Sequence, residues 1–338
     1  MALNIGQIIK GKYKTYRLVD VLKVPTVFKA RVLPDLGVKS TSAVVKTELG
    51  PEKICLKRER DNYRIPAITS CKYIRELCDV ISSDSKELRA EKADSAINSL
   101  CLVFEWMDHD LRTVPSFEFR SNSDLPKIIS KAVLSALALL SQFNAVHTDI
   151  NPNNIFLSNI RGASPIVKVG DLGNMLSQGY NKIRLQSLPT RAPEVWRGLG
   201  CFHSSDVWSF GITLVHWLAQ RPIFGAKDKI VENLTEAWCI AKIRRLVGPF
   251  GPPVNKPDYE EEFFIAEYLE STTFSHPDTG AETPFIKVGS LRQELERLPG
   301  PVVSPELLDF IEYLLVVDHT KRPTASEALQ HPYLRSLD

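Results

Sequence analysis

The most informative stretch of this chain is His147-Thr148-Asp149-Ile150-Asn151-Pro152-Asn153-Asn154, followed by Asp171-Leu172-Gly173. It places two carboxylates and a carboxamide in a fixed order, at Asp149, Asn154 and Asp171. Magnesium-dependent phosphoryl transfer needs an acid that orients the attacking hydroxyl, a side-chain oxygen for one magnesium ion, and a second acid that bridges magnesium to the phosphates. The pattern therefore indicates a site for that chemistry.

Two short apolar runs lie between the two parts of this stretch. Ile155–Leu157 and Ile166–Val169 are predicted as the strands of a hairpin joined by Arg161-Gly162. Such a hairpin would bring both of its ends to one edge of the structure. An isolated His-x-Asp pattern has little weight, because these residues in a polar turn usually form a solvated loop, but the order of the flanking segments argues against that interpretation.

Three more segments follow in order, Arg191-Ala192-Pro193-Glu194, Ser205–Gly211 and Lys321-Arg322-Pro323. Together with residues 147–154, called the catalytic loop below, they resemble the protein kinase family over about residues 13–334. The resemblance implies an α+β, bilobal fold with a small β-rich N-lobe and a large helical C-lobe. It also implies one kinase domain over residues 1–338, with the N-lobe near 13–106 and the C-lobe near 110–335.

The periodicity of the chain agrees with that arrangement. Strands are predicted near 16–22, 26–32, 42–47 and 100–104, and one helix over 52–65, between Pro51 and Pro66. Farther on, helices are predicted up to about 144 and near 207–218, 234–246 and 259–269. In the first helix Cys55, Glu59 and Tyr63 share one face, so the Glu59 carboxylate is expected to face a cation.

The composition is that of an ordinary globular protein with ample core, at 338 residues and 43% hydrophobic residues. A net charge of +2 and the lack of a basic tract give no reason to expect direct nucleic acid binding or a membrane partner. The longest apolar stretch, near 132–140, is shorter than the ~20 residues that span a bilayer and predicts a core helix. Six cysteines without a C-x-x-C pair, and no signal peptide pattern, predict reduced thiols and an intracellular location, in the cytoplasm or the nucleus.

The resemblance assigns roles residue by residue, for ATP and Mg²⁺ as cofactors. Asp149, Asn151 and Asn154 take the catalytic-loop positions, and Asn154 and Asp171 the metal-ligand positions. Ala43-Val44-Val45-Lys46 matches the strand that carries the phosphate-binding lysine, so Lys46 would bind the α and β phosphates and Glu59 would hold Lys46.

A further set of residues would bind the adenine base. Val27 and Val44 would cover it, Phe104 would be the gatekeeper, and backbone groups of Glu105 and Met107 would form hydrogen bonds to it. Any buried strand would have the same apolar residues, so the segment from Cys101 to Met107 is by itself weak evidence for a base-binding site.

Two positions depart from the family pattern. The phosphate-covering turn is normally glycine-rich, so that backbone N–H groups can approach the phosphates, but no glycine occurs between Lys12 and Leu36. Lys23-Val24-Pro25 occupies the turn, and proline lacks an amide donor. Asn151 stands where serine/threonine kinases have a lysine, and the loss of one preorganised donor typically costs about 10²–10³ in rate. Turnover is therefore expected to be slow.

The Asp-Leu-Gly turn and Thr148, which replaces the usual arginine, look most like the serine/arginine-rich protein kinases (SRPK-like) of the CMGC clan. The expected partner is then a protein substrate, arginine/serine-rich, for a monomeric kinase that transfers phosphate to serine or threonine. Ser187 is expected to contact Asp149. Six acidic residues could attract such a peptide, although a solvated helix face explains them as well: Asp258, Glu260, Glu261, Glu262, Glu267 and Glu270.

Two alternatives stay open. A pseudokinase would bind nucleotide or partners without efficient transfer, as the glycine-free turn and Asn151 allow. A small-molecule phosphotransferase of the aminoglycoside-kinase type shares the catalytic loop. Against it, Glu194 in the Ala-Pro-Glu motif is expected to pair with Arg322, as in kinases with protein substrates.

Overall fold

The computed structural model describes residues 3–33, 41–47, 53–82, 100–121 and 123–335. These residues form two compact units. Unit 1 contains the described residues up to Asp108 together with Gly170–Asn174, and unit 2 contains His109–Val169 and the described residues from Met175 onward. The predicted class, a β-rich lobe and a helical lobe, is confirmed.

Unit 1 is built on an antiparallel sheet, in which the described residues form six strands in the order β1-β2-β3-β4-β6-β5. Alternate side chains of the strands pack into one core, which includes Ile9, Tyr16, Phe28 and Val45. The strands are β1 (Ile8–Lys10), β2 (Thr15–Lys23), β3 (Val27–Leu33), β4 (Ser42–Thr47), β5 (Leu77–Ile81) and β6 (Cys101–Glu105).

Two of these strands were not predicted. β1 precedes the predicted start of the N-lobe near residue 13, and it pairs with β2 through Ile9 and Tyr16. β5 contains Asp79, a residue that disfavours strands. The buried Asp79 carboxylate is satisfied by distant donors, because it accepts hydrogen bonds from the backbone N–H groups of Lys12 and Tyr13. The strand propensity of residues 77–81 alone cannot predict these distant partners.

Helix α1 (Lys53–Tyr63) is the predicted helix of unit 1. Its predicted start, at Pro51 and Glu52, lies outside the described residues. Its end comes two residues before the predicted one, because Ile65 adopts an extended backbone ahead of Pro66, where the short helix α2 (Pro66–Thr69) begins.

Unit 2 is mostly helical, with α5 (His203–Ala219) buried along most of its length. Gly211 lets this helix approach its neighbour closely, since a Cβ there would lie 2.8 Å from Leu315 Cδ2. The other helices are α3 (Leu125–Gln142), α4 (Pro193–Trp196), α6 (Thr235–Leu246), α7 (Glu260–Ser271), α8 (Leu291–Glu296), α9 (Pro305–Leu314), α10 (Ala325–Ala328) and α11 (Pro332–Arg335). The predicted helices therefore exist, with bounds that differ by a few residues.

Short strands complete unit 2. The predicted hairpin is present, with Ile155 opposite Val169 and Ser158 opposite Ile166. A second hairpin, after α7, was not predicted, because its strands are only three residues long. The strands are β7 (His109–Asp110), β8 (Ala145–Val146), β9 (Ile155–Ser158), β10 (Ile166–Val169), β11 (Leu176–Ser177), β12 (Thr273–Ser275) and β13 (Glu282–Pro284).

Helix α3 is the core helix that the sequence predicted. By length and composition alone its 18 residues could cross a membrane, but 56% of that stretch is buried inside the protein. Ile129, Val133, Leu137 and Leu140 are all buried, which accounts for the apolar character of the helix.

Candidate active site

In unit 1, three charged groups meet at the end of β4. Lys46 Nζ lies 2.7 Å from Glu59 Oε2 on α1 and 2.9 Å from Asp171 Oδ1. The cation that Glu59 was expected to face is therefore Lys46. Burial alone would lower the pKa of Lys46, but Glu59 and Asp171 together raise it above its usual value, so the ammonium stays charged.

Glu59 is 1% exposed, and burial raises the pKa of its carboxyl to about 7 although Lys46 acts in the opposite direction. Asp171 raises it further, because two carboxylates share one lysine. The three groups thus carry more negative than positive charge. A divalent cation near Asp171 would relieve that imbalance.

Helix α1 also holds the Asp171-Leu172-Gly173 turn. Asn62 Nδ2 donates to the Leu172 carbonyl over 2.8 Å, and Arg58 donates to the Gly173 carbonyl and to Asn174 Oδ1. Asp171 has a left-handed backbone, with φ of 61°, which aspartate tolerates better than most residues. The turn is therefore fixed by hydrogen bonds from one face of α1.

Four of the predicted base-binding residues, Val27, Val44, Phe104 and Glu105, lie on the same sheet, and Met107 follows β6. Val27 is opposite Lys46 in the β3–β4 register and Val44 is opposite Phe104 in the β4–β6 register. Since side chains alternate between the two faces of a strand, these two pairs of residues share one face. Phe104 is buried and packs edge-to-face on Tyr63, with ring centroids 5.1 Å apart, and Met107 is also buried.

The turn between β2 and β3 offers few amide donors. Pro25 has none, and the Thr26 amide donates to the Lys23 carbonyl over 2.8 Å. Val24 projects from the turn, with 80% of its surface exposed. Weak phosphate binding by this turn stays a prediction.

In unit 2, the Asp149 carboxylate is surrounded by neutral donors. Asn154 Nδ2 donates to Asp149 Oδ2 over 3.0 Å, and Asn151 Nδ2 and Ser187 Oγ donate to Asp149 Oδ1 over 2.9 and 2.6 Å. The predicted contact between Ser187 and Asp149 is therefore present. Because these donors come from two segments of the chain, the orientation of the carboxylate is fixed before any substrate arrives.

Asp206 positions the catalytic loop, and sequence reasoning gave it no role. It lies in the buried helix α5, where Oδ2 accepts from the His147 amide and Oδ1 from the Thr148 amide, over 2.6 and 3.0 Å. Burial raises its pKa to about 6, although the hydrogen bonds with His147 and Thr148 lower it. The contacts support the left-handed backbone of Thr148, with φ of 67°, which is strained for a β-branched residue. The sequence feature that could have indicated this role is an aspartate within an otherwise apolar helix.

The pair predicted between Glu194 and Arg322 is also present. Arg322 donates from Nη1 and Nη2 to the two oxygens of Glu194, over 2.7 and 3.0 Å, and both side chains are almost fully buried. Ser205 Oγ donates to the same carboxylate over 2.6 Å. The sequence motifs that contain these residues are 128 positions apart.

Taken separately in the two units, the side chains predicted to bind magnesium are of the chemical kind that this ion prefers. Asp171 supplies a carboxylate, and both hydrogen bonds of the Asn154 amide described here use Nδ2, so its amide oxygen is the atom suited to a metal ion. Magnesium prefers such oxygen ligands and is usually bound through one or two carboxylates plus substrate phosphates. Among the described residues no group of three or more His, Cys, Asp or Glu forms a ready-made metal cage.

The model of the family described as "Protein kinase domain" matches residues 56–334. This chain belongs to the protein kinase family. Cyclin-dependent kinase 12 of Drosophila melanogaster is 28% identical over 302 residues, which cover 85% of this chain and 23% of that relative. Serine/threonine-protein kinase AFC2 of Arabidopsis thaliana is 28% identical over 269 residues, with coverages of 70% and 59%.

A third relative is serine/threonine-protein kinase prp4 of Schizosaccharomyces pombe, 26% identical over 254 residues, which cover 70% of this chain and 51% of prp4. The kinase chain described here thus spans about a quarter to three fifths of the length of these curated relatives. They belong to the CMGC clan, which agrees with the clan inferred from the motifs.

Proposed function

We propose that this chain is an ATP- and magnesium-dependent protein serine/threonine kinase with slow turnover. The observation that carries the proposal is the Asp149 carboxylate, which Asn151, Asn154 and Ser187 hold in one orientation. A carboxylate fixed in this way can orient a substrate hydroxyl and accept its proton. The names of the relatives support the serine/threonine class.

Bound ATP with magnesium supplies the phosphoryl group and neutralises its charge. Lys46, held between Glu59 and Asp171, presents the cation that would bind the α and β phosphates. Asp171 and the amide oxygen of Asn154 would hold the metal ions. Asn151 keeps its amide on Asp149, so it contributes a neutral hydrogen bond in place of the missing lysine charge.

The experiment that tests the proposal is transfer of labelled phosphate from ATP to serine, threonine and tyrosine peptide libraries, with magnesium or manganese. We expect slow transfer to serine or threonine, which Asp149→Ala abolishes, and a nucleotide-dependent thermal shift whose magnesium-dependent part is lost in Asp171→Ala. Asp124→Ala, at an exposed aspartate just before α3, is the matched control and should behave like wild type. A chain that shows no response to nucleotide with either metal would refute the proposal.

The pseudokinase remains a second candidate because of the glycine-free turn and the engaged Asn151 amide. It predicts binding of nucleotide without transfer above the Asp149→Ala blank. The pairing of Glu194 with Arg322 argues against the small-molecule phosphotransferase, since this pair accompanies the Ala-Pro-Glu motif of kinases with protein substrates.

We propose further that the chain is one kinase domain, acts as a monomer in the cytoplasm or nucleus, binds neither nucleic acid nor membrane directly, and belongs to the SRPK-like group. An arginine/serine-rich substrate is supported by the acidic residues that stay exposed around α7, namely Asp258, Glu260, Glu261 and Glu267. The other two acids have internal partners, Glu262 with Arg184 and Glu270 with Arg244. A peptide library without arginine preference would contradict this substrate class.

A further inference from the structure

Arg75 is a buried arginine in unit 1, between α2 and β5, with only 9% of its surface exposed. Its guanidinium donates from Nε and Nη2 to the carbonyl oxygen of Glu105, over 3.1 and 2.8 Å. The guanidinium carbon lies 5.6 Å from the centre of the Phe104 ring. Because a buried cation is costly unless its N–H groups find acceptors, these contacts are specific and not incidental.

Glu105 is also tied to the residue that follows Arg75. The Glu105 amide donates to the Glu76 carbonyl over 3.1 Å, and the Glu76 amide donates to Glu105 Oε1 over 2.7 Å. In an extended strand the N–H and C=O of one residue face the same neighbour. The Glu105 carbonyl is therefore turned toward the Arg75–Glu76 segment, where the guanidinium engages it.

The kinase resemblance assigned the backbone of Glu105, which includes this carbonyl, to the adenine base. We propose that Arg75 is a nucleotide-selectivity residue, which withholds the Glu105 carbonyl from a 6-amino purine and thereby lets the site accept a 6-oxo purine nucleotide about as well. The inference rests on the proposed nucleotide-binding function and concerns the base alone, not the phosphates or the metal.

The chemistry of the two bases explains the expected selectivity. A free backbone carbonyl accepts a hydrogen bond from the amino group of adenine and repels the oxygen of guanine. With Arg75 in place, the guanidinium compensates the charge of the carbonyl, so an oxygen at that position is repelled less. A neutral hydrogen bond changes affinity by about two- to tenfold. Because Arg75 weakens both the attraction for adenine and the repulsion of guanine, the dissociation constants of ATP and GTP should lie within about threefold of each other.

A purely structural role is the competing explanation, in which Arg75 only fastens β6 to the segment before β5. Such a role predicts a lower melting temperature when Arg75 is replaced, with the ratio of ATP to GTP affinity unchanged. The two explanations therefore differ in a measurable quantity that does not depend on how much stability is lost.

The test is calorimetric titration of ATP and GTP, each with magnesium, against wild type, Arg75→Leu, Arg75→Lys and the matched control Arg31→Leu. Arg31 is an exposed arginine on β3 of the same sheet. We expect Arg75→Leu to bind ATP about three- to tenfold more tightly and to prefer ATP over GTP at least about tenfold, with Arg31→Leu like wild type. If Arg75→Leu does not fold, Arg75→Lys should move the ratio in the same direction by a smaller factor.

Lys46→Met separates this inference from the proposed function. Suppose that wild type binds nucleotide and that Lys46→Met weakens this binding. If the Arg75 variants then keep the wild-type ratio of ATP to GTP affinity, the selectivity role is overturned and the nucleotide-binding function stands. Binding of ATP and GTP by wild type within about threefold of each other, together with a preference for ATP in Arg75→Leu, supports the inference. If neither wild type nor any variant binds nucleotide, both proposals fail.

Discussion

Glu59 in unit 1 and Glu194 in unit 2 are both buried carboxylates paired with a cation, but their pKa values move in opposite directions. For Glu59 burial dominates, and Asp171 adds repulsion, so its pKa rises to about 7. For Glu194 the bidentate contact with Arg322 and the Ser205 hydroxyl outweigh burial, so its pKa falls below the usual value. The surroundings, not the depth of burial, decide which carboxylate stays ionised.

The difference separates two kinds of region. Around Glu194, Arg322 supplies two parallel hydrogen bonds and is itself fully buried, which suits a permanent structural contact. Around Glu59, Lys46 serves two acids at once and keeps part of its side chain exposed. The charge there is incompletely balanced, as expected where a charged ligand is to bind.

The largest expected effect is on stability. Arg322→Ala should lower the free energy of unfolding by about 3–5 kcal/mol, because it leaves Glu194 buried and unpaired. Lys46→Met should cost clearly less, since the pKa of Glu59 is already raised and a proton can replace the lost cation. Urea denaturation at pH 7 measures both. Equal losses would show that the two carboxylates do not differ in the way described here.

Second in size is the effect of charge on the catalytic loop. Asn151→Lys should raise the rate of phosphate transfer by up to ~10²–10³, the contribution of one transition-state donor, if the missing cation limits turnover. The measurement is the initial rate with a serine peptide at saturating ATP. Pro25→Gly, in the turn between β2 and β3, is the companion variant. If Pro25→Gly raises the rate and Asn151→Lys does not, the turn in unit 1 limits turnover.

The third prediction concerns the segment from Asp171 to Glu194, whose ordering in many kinases requires phosphorylation and a basic pocket. Thr148 replaces the arginine of that pocket. Within unit 2, Arg184 forms an ion pair with Glu262 on α7, donates to the Trp196 carbonyl, and lies 3.5 Å above the centre of the Tyr259 ring. We therefore expect activity to be independent of phosphorylation, because a protein carboxylate already binds the arginine.

Two measurements check this expectation. Phosphatase treatment, and the single substitutions Ser177→Ala, Tyr180→Phe and Thr190→Ala, should not abolish activity. Glu262→Gln should lower activity by roughly ten- to a hundredfold, since a hydrogen bond to a charged group is worth about 1.5–3 kcal/mol. Glu261→Gln, at the exposed neighbouring position on α7, is the control. A large loss after phosphatase treatment would contradict the prediction.

The last expected effect is spread over several pH units and differs in sign between the two carboxylates. The folded-state pKa of Glu59, about 7, exceeds that of an unfolded glutamate, so its contribution to stability is full below about pH 4.3 and is lost as the pH rises toward 7. For Glu194 the sign is reversed, because its lowered pKa adds stability above that pH, which is lost on acidification. The slope for one group is at most about 1.4 kcal/mol per pH unit.

Comparison of the unfolding free energies of wild type and Glu59→Gln between pH 4.5 and 8 isolates the first contribution. We expect the difference between the two proteins to change with pH mainly below pH 7. A difference that is constant over this range would mean that Glu59 keeps an ordinary pKa.

The motif contacts within unit 2 were more predictable than the sheet of unit 1. The hairpin between Asn154 and Asp171, the contact between Ser187 and Asp149, and the pair of Glu194 with Arg322 are all present as the motifs predicted. By contrast, β1 and β5 were missed, because short strands at the edge of a sheet depend on pairing with distant segments more than on their own residues.

The kinase family and the β-rich and helical units could be inferred from the sequence alone, because they depend on local periodicity and on motifs with fixed order. Only the tertiary structure decided that Arg75 engages the Glu105 carbonyl, that Asp206 supports the catalytic loop, and that Glu262 binds Arg184. The partners in these contacts are 30, 59 and 78 positions apart. A buried polar group must find a partner, but the packing of the whole unit selects which one.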